Sequence, residues 1–412
     1  MMLELDFSQE FDPSRDEVFF AAVPERAGIL LIEMREPQAH PHLVRTADLR
    51  RAAERLLRLA EPGSKRLNLR DVAARIRYRL TGSKFEQTLA LYHHARATFP
   101  DRYRDLLRLR PPALLKVNLR NEYPRCYVTR RVSGDQGFYF GPFVSRRAAD
   151  TFSEGFLDLF KIRRCQIKIR RDPSFPGCIY SEMKMCLAPC FAGCTKQEYD
   201  LEVGRVLETL DTTGAALTAK FERDREAASE ALDFERAAAL HKRLEKVSDA
   251  MRGLPELARR IDDLNAVILQ RAVQEKTVVV FPLRAGILRE PCFLNFAELS
   301  SKPRSVEAIL RERLEPQIKP DKHGSNPGKE SETTIPEAAN SEGMPTDYRA
   351  RYGLRTAHAE LAEHLSLVTR WFYSKPREGE ILFREDEWPY RRILRACGRL
   401  LAPPAPASGE AP

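Results

Sequence analysis

Five of the eight cysteines lie within thirty residues, at Cys165, Cys178, Cys186, Cys190 and Cys194. Thiolates are soft ligands that suit zinc and iron–sulfur clusters. Four of them in a stretch without regular hydrophobic pattern would staple a segment that has no core of its own. The spacing C-x12-C-x7-C-x3-C-x3-C decides neither the metal nor the spare thiol. Cys126, Cys292 and Cys397 stand apart and read as buried, reduced thiols. The cysteine stretch is also basic. Lys161, Arg163, Arg164, Lys168, Arg170 and Arg171 put six positive charges into eleven residues around the first cysteine. Upstream, Arg120, Arg125, Arg130, Arg131, Arg146 and Arg147 interleave with Tyr127, Phe138, Tyr139, Phe140 and Phe143. Arginines fix phosphates and aromatic faces stack on exposed bases, so this region is a candidate nucleic-acid contact. The plain alternative is a solvated basic face with its aromatics in the core.

Several elements must position these residues. Residues 1–110 read as a small α/β domain. Its strands are Arg26–Glu33 and His42–Arg45, and Asp48 caps a helix over 49–59. Residues 71–80 and 85–97 read as further helices. Residues 111–196 begin with strands at 114–119, 125–132 and 138–140 and a helix from Ser145 to Phe160, and then enter the cysteine-rich segment. Residues 197–255 are strongly helical. Leu217, Phe221, Ala228 and Leu232 line one helical face. Asp233 caps a second helix whose face carries Phe234, Ala237, Ala238, His241, Leu244, Val247 and Met251, with His241 read as a core histidine. Two such helices make a hairpin with an apolar stripe on each, suited to docking another helical pair. Residues 256–315 form a small α/β segment with strands at 266–269 and 277–283. Residues 316–346, polar and rich in proline, read as a disordered linker. Residues 347–412 read as a helical tail, with Leu354, Leu361, Leu365, Val368 and Phe372 at helical spacing.

Composition sets the frame. A chain of 412 residues suits two or three domains, and 43% hydrophobic with 31% charged residues is a globular balance. The net charge of +9 favours polyanionic partners. No run of about 18 apolar residues is present, and the first fifteen residues lack the apolar core of a secretory signal. A cytoplasmic location is therefore expected, where clustered cysteines point to metal or redox chemistry rather than disulfides.

The segments Tyr123-Pro-Arg-Cys-Tyr-Val-Thr-Arg130 and Tyr139-Phe-Gly-Pro-Phe143 resemble the strand pair that follows the first nuclease domain in the UvrC family, the incision subunits of the UvrABC excinuclease. Phe160-Lys-Ile-Arg-Arg-Cys165, Gly177-Cys-Ile-Tyr180 and Met185-Cys-Leu-Ala-Pro-Cys190 resemble that family's cysteine-rich segment. Residues 218–252, centred on Leu232-Asp-Phe-Glu-Arg-Ala-Ala238, resemble its UVR motif. The resemblance implies a [4Fe–4S] cluster on Cys165, Cys178, Cys186 and Cys190, with zinc as the alternative and Cys194 as an extra. It implies DNA contacts through Arg50, Arg51, Arg163, Arg164, Lys168, Arg170 and Arg171. It implies a UvrB-type partner held by Phe221, Leu232, Phe234, Glu235, Ala238 and Leu244. The family's second nuclease domain and paired helix-hairpin-helix motifs find no counterpart, so the resemblance is to a shortened form.

In the family, the first nuclease domain is of the GIY-YIG class. A tyrosine helps to activate water, an arginine stabilises phosphate charge and a glutamate holds one divalent metal. Here the first motif falls on Gly28-Ile29-Leu30, with leucine for the tyrosine, and the second on His42-Leu43-Val44. Arg50 falls at the catalytic arginine, and Leu91 or Tyr92 at the metal glutamate, with Glu86 more than a turn earlier. Leucine neither ionises nor exchanges a proton. The expectation is an α/β GIY-YIG-like domain with a vestigial centre, followed by the cysteine-rich segment, a UVR helical hairpin and a small α+β C-terminal part. The chain is then a repair factor that binds DNA and a UvrB-type partner without cutting. Two alternatives stay open. One is an active single-cut GIY-YIG-type endonuclease, which alone would need Mg2+. The other is a UVR-containing adaptor of a protease or kinase system.

Overall fold

The computed structural model describes residues 4–61, 63–133, 137–299, 305–315 and 358–402. The stretch read as a linker, 316–346, and Leu354 lie outside them. The chain forms two compact units. One comprises Met1–Arg110, Asn265–Leu314 and Glu363–Pro412, the other Pro111–Leu264 with Glu315–Ala362. Among the described residues no helix is long and apolar enough to cross a membrane.

The first unit opens with β1 (Phe7–Glu10), β2 (Gly28–Met34), β3 (His42–Thr46) and β4 (Ala73–Leu80), an antiparallel sheet in the order β1-β4-β2-β3. β4 corrects the helix expected over 71–80. Ile76 and Tyr78 are buried while Arg75, Arg77 and Arg79 alternate with them, a period of two that belongs to a strand. Helix Leu49–Leu57 is capped by Asp48, whose carboxylate accepts from the Arg51 N–H at 3.0 Å. It lays Leu49, Ala53, Leu56 and Leu57 against Leu30, Ile32 and Ile76. Ser83 caps helix Lys84–Thr98 in the same way, through the Glu86 N–H.

The second unit contains β5 (Ala113–Asn118), β6 (Cys126–Thr129), β7 (Gly137–Phe143) and β8 (Arg259–Arg260), in the order β6-β5-β7-β8. Helices Arg146–Leu157 and Lys196–Asp211 cover it. Ser145 caps the first, and Thr195 and Glu198 form a capping box on the second. Phe138, Phe140, Phe143, Phe156 and Val203 fill the core between them.

Back in the first unit, β9 (Ala266–Arg271), β10 (Thr277–Arg284), β11 (Ile287–Leu288), β12 (Cys292–Asn295) and β13 (Glu380–Phe383) form another antiparallel sheet. The stretch read as a helical tail therefore holds a strand between helices His358–Phe372 and Tyr390–Leu401. Four residues, Glu-Ile-Leu-Phe, are too few to show a period, and they become a strand by pairing with the buried β9.

Candidate functional site

The cysteine loop is fastened to the core by side chains at its two ends. Tyr199, fully buried, donates from its hydroxyl to the Pro124 carbonyl at 2.7 Å and accepts the Arg163 N–H at 3.0 Å. The Glu202 carboxylate accepts the Lys161 N–H at 2.6 Å. Arg163 is only 5% exposed. Its guanidinium donates to the carbonyls of Tyr123 at 2.8 Å, Ile167 at 2.8 Å and Cys165 at 3.4 Å. This corrects the expectation that Arg163 meets DNA, because its donors are spent on the loop's own backbone.

Farther along, the Asp172 N–H donates to the Cys190 carbonyl at 2.9 Å, and the Ala188 N–H points at the Cys186 sulfur at 3.3 Å. Lys184, Ala188 and Ala192 adopt φ of 55°, 56° and 62°. A residue with a Cβ pays roughly 1–2 kcal/mol for that conformation. The turns around Cys186 and Cys190 are thus held by their surroundings and not by local preference.

Burial pushes the Cys186 thiol up to about 11, and the neighbouring thiols of Cys165, Cys178 and Cys190 act in the same direction. Burial also raises Cys190, with Cys178 and Cys165 adding to it. Cys186 and Cys190 therefore lie within electrostatic reach of each other and of Cys165 and Cys178. Cys194 is raised by burial and by Glu198, and of the other cysteines only Cys190 acts on it. Among the described residues no three His, Cys, Asp or Glu side chains stand as a ready metal-holding group. Electrostatic reach extends well beyond a ligand bond, so the two observations agree. Burial favours the neutral thiol at Cys186 and Cys190, where a metal would bind by displacing the proton.

Around the loop, Lys168, Arg170 and Arg171 are exposed, while Arg164 pairs with Asp158 at 2.8 Å. The aromatics expected to stack on bases are mostly core. Phe138, Tyr139, Phe140 and Phe143 are buried, because β7 is covered on both faces. Tyr127 is half-buried, with the Arg125 guanidinium 4.3 Å from its ring centre.

Helices Ala215–Glu230 and Phe234–Met251 form a hairpin. The base is fixed, with Leu217 and Val247 in the core of the second unit and Phe221 and Met251 packed on it. The tip is bare. Leu232 is 72% and Phe234 67% exposed. Leu232 belongs to the turn, at φ 57°, and not to the first helix as its spacing suggested. Asp233 caps the second helix by accepting the Arg236 N–H at 3.0 Å. Glu235 and Ala238 are exposed, Leu244 is half-buried, and Leu240 is the buried contact that sequence spacing missed. His241, expected in the core, is exposed and lies 3.7 Å from Glu245.

In the first unit, Leu30 faces Val44 across β2 and β3 and is fully buried in the core. A side chain at Gly28 would meet the Arg79 carbonyl at 2.2 Å, so that glycine serves close strand packing. Arg50 donates to the Val23 and Ala21 carbonyls and pairs with Glu25. Arg51 is exposed. Glu86 is 1% exposed and accepts the Gly82 N–H at 2.8 Å, and burial holds its carboxyl above the usual range. Leu91 is half-buried.

Tyr92 is buried and donates to Glu363 at 2.6 Å. Tyr103 and Arg104 donate to the other oxygen of the same carboxylate, both at 2.7 Å. Glu363, 6% exposed, is thus a carboxylate beside the expected metal position that sequence reading missed. No local signal marks it, since it lies more than 250 residues away from its partners. Burial alone would push its carboxyl up, but the three donors outweigh burial and hold it below the usual range. Its charge is committed to these partners. Replacing Glu363 with alanine will lower unfolding free energy by about 3 kcal/mol, because two buried hydroxyls lose their acceptor. Glu363→Gln, which keeps an acceptor, will lose less. Urea unfolding at pH 7 measures both. The depressed carboxyl stabilises the fold above the unfolded-state pKa, so the gap between wild type and Gln will close as pH falls through the folded-state value.

Residues 113–209 match the family model described as UvrC/Cho excinuclease, middle domain. The UvrABC system protein C of Moorella thermoacetica is 29% identical over 200 residues, 48% of this chain and 32% of the relative. That of Ruminiclostridium cellulolyticum is 30% identical over 173 residues, 42% and 28%. That of Oleidesulfovibrio alaskensis is 31% identical over 175 residues, 42% and 25%. The chain thus spans about a third or less of the length of these relatives. No solved structure matches it.

Proposed function

Since residues 113–209 place this chain in the UvrC family of excision repair proteins, we propose that it binds DNA and a UvrB-type partner without cutting the DNA itself. The observation that carries this reading is the hairpin following the family domain, anchored at its base and bare at Leu232 and Phe234. An apolar tip held out on a rigid stem suits a helical partner that supplies the missing cover. DNA contact falls to the exposed Lys168, Arg170 and Arg171 and, in the first unit, to Arg51. Arg164, with its pair to Asp158, plays the lesser part.

The non-cutting half rests on chemistry. The position of the water-activating tyrosine is Leu30, packed in a core, and Tyr92 is committed to Glu363. Arg50 keeps its guanidinium on two backbone carbonyls and Glu25. No base and no free carboxylate remain at those positions to hold Mg2+. On the cysteine loop, Cys165, Cys178, Cys186 and Cys190 would hold a [4Fe–4S] cluster, with zinc as the alternative. Such a group supplies cross-links to a loop that has little core, and in the cluster's case a redox centre.

The test is incision and recruitment on one damaged duplex, with and without Mg2+ or Mn2+ and a purified UvrB-type protein, beside Arg50→Ala. The expected result is recruitment to the partner–DNA complex without incision. Metal-dependent nicking that disappears in Arg50→Ala would make the chain a single-cut nuclease. Neither nicking nor recruitment would sink the repair reading and turn attention to an adaptor role.

A further inference from the structure

The first unit carries a basic groove that the family domain does not include. Between β13 and helix Tyr390–Leu401 lies a depression of about 390 Å3, lined by Glu380, Ile381, Leu382, Arg392, Arg395 and Arg399. The helix has four arginines and no acidic residue in its twelve positions. Tyr390, Ile393, Ala396 and Cys397 are buried, which turns Arg392, Arg395 and Arg399 outward together at spacings of three and four. Core packing accounts for the apolar face and leaves the basic one unexplained.

The charges are only partly answered. Arg399 is held by Glu380 through a fork, at 3.0 and 2.6 Å. Among the described residues Arg392 reaches only the exposed Glu385, at 3.9 Å. Arg395 has no acidic partner among the described residues. A free ion pair at that distance on the surface contributes little, so Arg392 and Arg395 are available to an incoming anion. β13 is the edge of its sheet, which leaves the groove open along one side.

We propose that this groove is a second contact for the phosphodiester backbone of DNA, made by Arg392 and Arg395 with Arg399 fixed at its end by Glu380. The inference rests on the DNA-binding part of the proposed function and adds a site to it. Guanidinium forks match phosphate oxygens in shape and charge. From Arg392 to Arg399 the helix rises about 10 Å, the axial rise of about three phosphates along one strand. None of the described lining residues is aromatic, so the contact is with the backbone and independent of sequence.

The experiment measures affinity of the full chain for an undamaged duplex from 50 to 200 mM salt. Arg392→Gln/Arg395→Gln will flatten the salt slope by close to 2 and weaken low-salt binding by roughly tenfold, at about 0.9 per lost phosphate contact. Arg392→Lys/Arg395→Lys will keep most of the slope. Lys65→Gln/Arg66→Gln removes equal charge from an exposed loop and will leave the slope nearly unchanged. A slope kept by the groove variant but lost in Lys168→Gln/Arg170→Gln/Arg171→Gln would overturn the groove and leave the proposed function standing. Equal losses in the groove and loop-control variants would reduce the effect to net charge and also overturn it. A wild-type chain with no salt-sensitive binding would remove both the groove and the DNA-binding part of the proposed function.

Discussion

Leu232→Ala/Phe234→Ala will weaken capture of a UvrB-type partner by about two orders of magnitude and leave the chain's own stability nearly unchanged. Covering a leucine or phenylalanine side chain contributes about 1.5–3 kcal/mol, so the pair is worth roughly 3 kcal/mol at an interface. Each 1.4 kcal/mol is about tenfold in affinity. Both side chains are about 70% exposed in the free chain, so removing them costs the fold little. Leu240→Ala is the contrasting variant. It opens a cavity in the hairpin and will lower both the melting temperature and the affinity. Calorimetric titration with the partner, beside thermal unfolding by circular dichroism, separates the two cases. Unchanged binding in the tip variant would show that the hairpin does not dock through its turn.

The hairpin was legible because its capping signal is local. Asp233 before Phe234 announces a helix start whatever surrounds it. Leu232 was misplaced because an apolar residue at helical spacing does not reveal that its backbone turns left-handed. The same limit explains β4. Ala73–Leu80 is rich in arginine, which suits a helix by propensity, and the period-two burial of Ile76 and Tyr78 becomes decisive only once β1 and β2 flank it. β13 and Glu363 show the other kind of blindness. Both take their roles from partners far away in sequence, and nothing within a window of residues encodes such a pairing. For the cysteines, type and spacing mark the segment without choosing four of the five, and the basic run around them hides a division of labour. Arg163 and Lys168 look alike in sequence, yet Arg163 is spent inside the loop and Lys168 stands in solvent.

That division sharpens the largest prediction for the cysteine loop. Protein purified without oxygen will carry about four irons and as much acid-labile sulfide per chain, and Cys186→Ser will carry almost none. Cys186 is one of the four ligands the resemblance implies, and three thiolates cannot complete the cluster's four-thiolate shell. Serine can still accept the Ala188 N–H, and Arg163 still ties Tyr123, Cys165 and Ile167 together, so the loop persists without its group. Cys194→Ser is the discriminating control. The resemblance leaves Cys194 outside the four, so that variant will keep wild-type iron and sulfide. Elemental analysis with a sulfide assay and low-temperature spin resonance reads the outcome without reference to any activity. One zinc per chain and no sulfide would replace the cluster by a structural metal on the same four thiols. Iron retained in Cys186→Ser but lost in Cys194→Ser would exchange the spare thiol for a ligand. A wild-type chain free of both metals after anaerobic purification would leave the gathered thiols without a metal role, and the positive-φ turns at Lys184, Ala188 and Ala192 would then answer to backbone packing alone.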